Sequence, residues 1–178
     1  SELSADLIAT TDFNGFEVSC GGLSDGGIII QTSNGVQPYE YRWSDGATEL
    51  ERTELPAGDY QVVVSDNAGC VDSANITLNE PPPIEISGFG MNPGCFGGTN
   101  GEIIIDSISG GSGEYVVYLN GFETEPIDPE DLPYTVENVS AGDYEVGVLD
   151  GNNCYGFFNI NISNPPERPI NINRSSLP

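Results

Sequence analysis

Four cysteines are the residues of this chain best suited to covalent chemistry, and they occupy equivalent places in an internal repeat. Cys20 and Cys95 each precede an Ile-Ile-Ile run, at an offset of 75 residues. Cys70 and Cys154 each precede the last apolar segment of a repeat, at an offset of 84 residues. Thiols can also bind zinc or form a redox pair, but the sequence has no Cys-x-x-Cys spacing and no His. We therefore predict one disulfide per repeat, namely Cys20–Cys70 and Cys95–Cys154.

Carboxylates supply the second kind of chemistry that the sequence offers. The 178 residues include 28 Asp and Glu against 4 basic residues, for a net charge of −24. This balance excludes nucleic acid and anionic membrane as partners, because both require Lys and Arg.

The absence of His removes Ser-His-Asp and Cys-His nucleophile pairs. Paired carboxylates can hydrolyse glycosides, but with so many of them close pairs arise by chance. We therefore predict that the chain is not an enzyme.

Carboxylate and amide oxygens are also the ligands that Ca²⁺ prefers. The candidate calcium ligands are Asp66, Asp150 and Asn152, which stand in turn-like segments before Cys70 and Cys154. No EF-hand pattern is present, and Asp and Asn are common turn formers without any metal. The negative charge has a second explanation as a solvated coat that keeps the chain extended and soluble. Both interpretations stay open, and no cofactor is otherwise expected.

An insertion in the second repeat is the best candidate for a recognition surface. The offset between the repeats grows from 76 to 84 residues across residues 120–133, a stretch rich in proline and acidic residues. This composition predicts a loop, and loops on rigid scaffolds often bind partners. Solvation of the acidic residues is the competing interpretation. The candidate recognition residues are Phe122, Glu123, Glu125, Asp128, Glu130 and Asp131.

Internal repetition organises the whole chain. Residues 57–60 read Ala-Gly-Asp-Tyr and recur as residues 141–144, and a Pro-Pro pair ends each copy. We predict repeat 1 over residues 1–82, repeat 2 over 83–166, and a linker with the start of a further repeat over 167–178. The chain is then expected to be a piece of a longer array.

Alternating apolar residues in each repeat predict β-strands. Tyr60, Val62 and Val64 place apolar residues at alternate positions, while Asn-Gly and Asp-Gly turn signals separate the apolar runs. Tyr60 and Tyr144 have the spacing of a tyrosine corner, and Trp43 is predicted to lie in the core. The predicted fold is all-β, with two tandem immunoglobulin-like β-sandwiches that contain one disulfide each. No apolar run is long enough to span a bilayer.

Several of these motifs together resemble the SprB repeat. They are the Cys20 segment with its glycines, the Tyr-Glu-Tyr-Arg-Trp run that ends at Trp43, the Leu-Pro-Ala-Gly-Asp-Tyr run that ends at Tyr60, and the segment that ends at Cys70. SprB repeats occur in gliding-motility adhesins of Bacteroidota. The likeness covers nearly all of repeat 1 and, with departures at residues 114–119, repeat 2.

The resemblance implies a very large filamentous protein of the bacterial cell surface. Such a protein is secreted through the type IX route and contacts a surface or a polysaccharide during gliding. The repeats would form a stalk whose partners are neighbouring repeats of the same chain. The alternative function is a carbohydrate-binding or calcium-dependent binding module that uses the inserted loop or exposed tyrosines.

Overall fold

A computed structural model of the chain describes residues 2–127 and 129–167, without the side chains of residues 123–127 and 129. The predicted start of a further repeat therefore lies outside the described residues from position 168 onward. The described chain folds into strands joined by turns, with one short 3-10 helix at Pro129–Asp131. The all-β prediction is confirmed.

The chain divides into two compact units. Unit 1 comprises Ser1–Ile84, Gly110–Gly113 and Asp150–Cys154, and unit 2 comprises the remaining segments from Glu85 onward. The short segments 110–113 and 150–154 thus belong to unit 1, although the sequence repeat places them in repeat 2. The predicted bounds of the repeats stay a prediction.

Unit 1 contains two three-stranded antiparallel sheets. Its strands are β1 (Ser4–Ala9), β2 (Ser24–Ser33), β3 (Glu40–Trp43), β4 (Glu51–Pro56), β5 (Gly58–Ser65) and β6 (Val71–Leu78). One sheet has the order β1-β2-β4 and the other has the order β3-β5-β6. Side chains from both sheets form one core cluster, in which Ile28, Trp43 and Val62 are almost completely buried.

Unit 2 repeats this arrangement with one additional strand. Its strands are β7 (Glu85–Met91), β8 (Gly101–Ser109), β9 (Tyr115–Leu119), β10 (Phe122–Ile127), β11 (Tyr134–Val139), β12 (Gly142–Leu149) and β13 (Tyr155–Ile162). The sheets have the orders β11-β8-β7 and β10-β9-β12-β13. Ile103, Ile105, Val117, Val146 and Val148 have no exposed surface and are among the buried side chains of this unit.

The alternation seen in the sequence matches the burial along the strands. In β5, Val62 and Val64 are completely buried, whereas Val63 between them is 41% exposed. Successive side chains of a strand point to opposite faces, so this pattern places one face of β5 on the core. The predictions of a half-buried strand here and of a core position for Trp43 are confirmed.

The prediction of a loop over residues 120–133 is wrong for most of that stretch. Asn120 and Gly121 have φ values of 49° and 79°, the positive values that a two-residue hairpin turn of type I′ requires. β10 therefore returns antiparallel to β9. Proline is compatible with this strand because β10 lies at the edge of its sheet. The proline-rich composition suggested a loop, while the Asn-Gly pair was the stronger local signal.

Truncating Trp43 tests the core of unit 1. Trp43 is 2% exposed, and its Nε1 donates a hydrogen bond to the Glu49 carbonyl at 2.9 Å. We expect Trp43→Ala to lower the free energy of unfolding by about 3 to 5 kcal/mol, because a large cavity replaces the indole. Urea titrations followed by far-UV circular dichroism measure the change. Val63→Ala on the exposed face should change it by less than about 0.5 kcal/mol, and equal losses in both variants would contradict the assigned core.

Candidate functional site

The turn between β5 and β6 is built around the carboxylate of Asp66, which is 8% exposed. Its Oδ1 accepts hydrogen bonds from the backbone N–H groups of Ala68, at 2.9 Å, and Cys70, at 2.8 Å. Its Oδ2 accepts a third from the N–H of Val36 at 2.9 Å. Asp66 therefore closes its own turn and ties it to the connection between β2 and β3.

The turn between β12 and β13 repeats this arrangement around Asp150, which is 5% exposed. Its Oδ1 accepts from the N–H groups of Asn152, at 2.9 Å, and Cys154, at 2.8 Å. Its Oδ2 accepts from the N–H of Ser112 at 2.8 Å. The donors are the repeat equivalents of Ala68, Cys70 and Val36. The two aspartates thus perform the same structural task.

The hydrogen bonds keep the Asp66 carboxylate charged. The N–H of Val36 lowers the pKa of Asp66 most, the N–H groups of Cys70 and Ala68 lower it further, and burial opposes them by raising it. Backbone donors stabilise the ionised form of a carboxylate directly. The same donors present their positive ends where a cation would have to approach.

Asn152, the third candidate calcium ligand, uses its amide in contacts within unit 1. Its Nδ2 donates to the carbonyl oxygens of Phe13 and Ser19, each at 3.1 Å, and its Oδ1 accepts from Asn14 Nδ2 at 2.7 Å. Within residues 2–127 and 129–167, no group of three or more His, Cys, Asp or Glu side chains is placed to hold a metal ion. The geometry gives the three candidates structural contacts, and calcium binding stays a prediction.

The predicted disulfide pairs are wrong. The structure joins Cys20 to Cys154, which are 134 residues apart in sequence and have a Cα–Cα distance of 5.5 Å. Cys70 and Cys95 are free and exposed. The physical reason is that the turn containing Cys154 belongs to unit 1, where the Asn152 amide bonds the carbonyl of Ser19, the residue next to Cys20. The equivalent places of the cysteines in the two repeats gave no sign of this pairing.

Both tyrosine corners are confirmed. The Tyr60 hydroxyl donates to the Pro56 carbonyl at 2.8 Å, and the Tyr144 hydroxyl donates to the Ser140 carbonyl at 3.0 Å. In each case the acceptor lies four residues upstream, so the hydroxyl closes the corner that leads into β5 or β12. Each of these strands therefore has a tyrosine corner at its start and an aspartate turn at its end.

The structure describes only some of the candidate recognition residues. Phe122 begins β10 and is 78% exposed, and Glu130 and Asp131 lie in the 3-10 helix. Asp128 and the side chains of Glu123 and Glu125 fall outside the described residues. The structure thus places an exposed aromatic side chain on an edge strand, and the recognition role stays a prediction.

Sequence reasoning missed a pair of exposed aromatic residues on β13. Tyr155 and Phe157 are 50% and 56% exposed, and their rings stack with centroids 5.9 Å apart and an interplanar angle of 21°. The Tyr155 hydroxyl donates to Glu145 Oε1 at 2.8 Å. Burial and this carboxylate raise the pKa of Tyr155. Their exposure could have been predicted from the alternation in β13, because Tyr155 and Phe157 lie on the face opposite Phe158, Ile160 and Ile162.

No helix among the described residues is long and apolar enough to cross a membrane.

Comparison with known families gives one match. Residues 17–48 match the model of the SprB repeat, which confirms the resemblance over that segment. SprB repeats belong to extracellular proteins of the cell surface. The matched segment includes Cys20, all of β2 and the strand that ends at Trp43. No curated protein matches the sequence.

Solved structures with similar arrangements come from several β proteins. Three N-terminal domains of the Highly Immunogenic Outer Capsid protein (Hoc) of bacteriophage RB49 share 13% identity, with a TM-score of 0.48 over 90% of this chain and 58% of that one. An I-band fragment of titin shares 14% identity, with a TM-score of 0.45 over 91% and 65%. A C-terminal fragment of intimin, solved in complex with the intimin-binding domain of the translocated intimin receptor, shares 14% identity, with a TM-score of 0.42 over 92% and 65%. The chain spans less than two thirds of each of these structures.

Replacing Asp66 tests the aspartate turn. Because the folded-state pKa of Asp66 is lowered, its carboxylate stabilises the fold above the ordinary Asp pKa, and this contribution is lost as the pH falls through the lowered value. We expect Asp66→Asn to lower the thermal midpoint by several degrees at pH 7. The difference from the unmodified chain should shrink at strongly acidic pH.

The matched control is Asp6→Asn, which changes an exposed carboxylate of β1 and removes the same charge. Its thermal midpoint should stay close to that of the unmodified chain at every pH. A loss in Asp6→Asn equal to the loss in Asp66→Asn would show that net charge, and not the three hydrogen bonds, determines the effect.

Replacing Tyr60 and Tyr144 by Phe tests the tyrosine corners. Each substitution removes one hydroxyl that bonds a backbone carbonyl, a contact worth about 0.5 to 1.5 kcal/mol. We expect a loss in this range for each variant in urea titrations. Tyr41→Phe is the control, since Tyr41 does not follow such a corner, and a loss of the same size there would contradict a special role of the corner hydroxyls.

Proposed function

We propose that this chain is a structural repeat segment, a stalk, of a large secreted cell-surface adhesin or filament that serves surface adhesion in gliding motility. The match of residues 17–48 to the SprB repeat supports this proposal most directly. Export through the type IX route and attachment to a motility machinery come with the proposal as properties of the whole protein.

The features shared by the two repeats support a structural role. Both repeats keep the aspartate turn and the tyrosine corner, which act on the backbone. Side chains that could form a site are not shared, since Trp43 of repeat 1 has Leu119 near the equivalent place and Ala68 stands where repeat 2 has Asn152. The two repeats share backbone contacts but differ in their exposed side chains, which suits a stalk better than a catalyst. The proposed role involves no catalysis.

In this proposal each unit is an immunoglobulin-like β-sandwich, and the two follow one another along the chain. The sheet orders β1-β2-β4 and β3-β5-β6 of unit 1 correspond to strands A-B-E and C-F-G of such a sandwich. In unit 2 the orders β7-β8-β11 and β10-β9-β12-β13 correspond to the same set with one strand added beside C. The buried cluster of unit 1 draws side chains from both of its sheets, as a sandwich requires.

The charge supports the proposed partners. A net charge of −24 favours solubility and mutual repulsion of the exposed faces, which suits a long extracellular array. It disfavours nucleic acid and anionic lipid surfaces. The proposed partners are neighbouring repeats of the same chain and a surface polysaccharide contacted by the whole adhesin.

A carbohydrate-binding module is the second candidate function, and the aromatic pair of β13 favours it. Tyr155 and Phe157 present stacked, exposed rings beside the Glu145 carboxylate. Exposed aromatic faces with a polar group at their edge are suited to stack on sugar rings. The calcium-dependent version is less favoured, because Asp66 and Asp150 each already accept three backbone hydrogen bonds.

Surface exposure on living cells tests the stalk proposal. Antibodies raised against the purified chain should label intact cells of its source, and protease treatment of intact cells should remove the label. Beads coated with these antibodies should then be carried along gliding cells. Labelling that appears only after lysis would contradict an extracellular role, and beads that bind without moving would contradict the role in gliding.

A glycan-binding assay separates the two candidate functions. A stalk should give no saturable signal with purified surface polysaccharides in surface plasmon resonance. A saturable signal that is lost in the double variant Tyr155→Ala, Phe157→Ala would favour the carbohydrate-binding module instead. Phe89→Ala is the matched control, because Phe89 is 52% exposed but lies on β7 in the other sheet of unit 2.

A further inference from the structure

The disulfide of this chain joins cysteines of two different kinds. We call Cys20 and Cys95 the leading cysteines, since each precedes the second strand of its repeat, and Cys70 and Cys154 the closing cysteines, since each precedes the last strand. The bond links the leading Cys20 of repeat 1 to the closing Cys154 of repeat 2. The free thiols are therefore one closing cysteine, Cys70, and one leading cysteine, Cys95.

The two closing cysteines have the same backbone setting, although only Cys154 is bonded. The N–H of Cys70 donates to Asp66 Oδ1 at 2.8 Å, and the N–H of Cys154 donates to Asp150 Oδ1 at the same distance. The carbonyls of both cysteines accept from the N–H of their own aspartate, at 3.0 and 3.1 Å. The turn that presents the bonded thiol is thus reproduced around the free one.

The two leading cysteines are equally alike. The carbonyl of Cys20 accepts from the N–H of Leu23 at 3.1 Å, and the carbonyl of Cys95 accepts from the N–H of Gly98 at 2.9 Å. One further bond holds each turn to the end of its repeat: Gly22 N–H to Glu80 Oε2 at 2.8 Å, and Gly97 N–H to Asn164 Oδ1 at 3.0 Å. Gly22 and Gly97 both have positive φ, of 80° and 71°. Cys95 therefore stands in the same kind of turn as the bonded Cys20.

From these equivalences we infer that Cys70 and Cys95 are the sites of further disulfides between consecutive repeats. The closing Cys70 pairs with the leading cysteine of a preceding SprB-type repeat, and the leading Cys95 pairs with the closing cysteine of a following one. This inference rests on the proposed function in one respect, namely that such repeats adjoin this segment in a longer array. Both thiols are exposed, as a partner repeat requires.

The amide contacts beside the disulfide are not repeated. Asn152 bonds backbone carbonyls beside Cys20, whereas Ala68 occupies its place in the closing turn of repeat 1. An inferred bond of Cys70 therefore lacks the amide contact that accompanies Cys20–Cys154, and only the cysteines and their turns are shared with the observed pair.

The bond requires an oxidant, which in a periplasmic or extracellular setting is another disulfide. One protein thiolate attacks the oxidant disulfide, and a mixed disulfide forms as one oxidant thiolate leaves. The second protein thiolate then attacks the protein sulfur, and the second oxidant thiolate leaves. The two cysteines lose two electrons and two protons, and the oxidant disulfide is reduced to two thiols.

A three-repeat chain tests the inference. Residues 1–168 followed by a copy of residues 83–166 keep the natural spacing, because Pro169 repeats Pro83. The protein is folded in oxidised glutathione, denatured without reduction, alkylated and weighed by mass spectrometry. Of its six cysteines, four should be bonded, so we expect two adducts. Four adducts, which leave only Cys20–Cys154 bonded, would overturn the inference, and so would no adducts, because the inference leaves Cys70 and the leading cysteine of the added copy without a partner repeat.

The Cys95→Ser variant of the same chain is the decisive control. If Cys95 bonds the closing cysteine of the added copy, its loss frees that partner and the count rises to three adducts. If the added copy forms its own internal bond instead, the variant gives one adduct and the inference is wrong. The number of free thiols does not depend on adhesion. A wrong disulfide inference can therefore be distinguished from a wrong adhesin proposal.

Discussion

A carboxylate buried among three backbone N–H groups is the interaction on which each repeat depends. A buried turn loses folding free energy when its backbone N–H groups have no acceptor. A buried carboxylate loses folding free energy when no hydrogen-bond donor contacts it. Asp66 and Asp150 meet both costs with the same three hydrogen bonds. The negative charge is therefore structural at these two positions. Elsewhere most acidic side chains lie on exposed or half-exposed surface.

The aspartate turn also determines where the cysteine chemistry occurs. Because Asp66 and Asp150 bond the N–H of the cysteine four residues later, they hold each closing cysteine at the start of β6 or β13. At the other end of the same hairpins, Tyr60 and Tyr144 close the corner into β5 or β12. The buried valines lie between these two ends. One framework of backbone contacts thus supports a thiol whose bonding partner differs between repeats.

The sequence was sufficient for whatever depends on local pattern. The alternation of Tyr60, Val62 and Val64 predicts β5, and the spacing of Tyr60 and Tyr144 predicts their corners. The sequence was not sufficient for the disulfide pairing, which depends on contacts between segments that are far apart in the chain. Cys154 bonds Cys20 because residues 150–154 belong to unit 1, which no spacing within a repeat reveals. The composition after Asn120 predicts a loop because it is rich in proline, whereas Phe122–Ile127 form an edge strand, which accepts proline.

Loop entropy explains why this pairing could not be settled by counting residues. In the chain-entropy model the cost of closing a loop grows with the logarithm of its length. The loop between Cys20 and Cys154 spans 134 residues, and the predicted loop between Cys20 and Cys70 spans 50. The model separates the two by only about 0.9 kcal/mol, less than one well-placed hydrogen bond can supply. Local presentation of the thiols therefore decides the partner, and bonding to the next repeat is entropically almost as accessible as bonding within one.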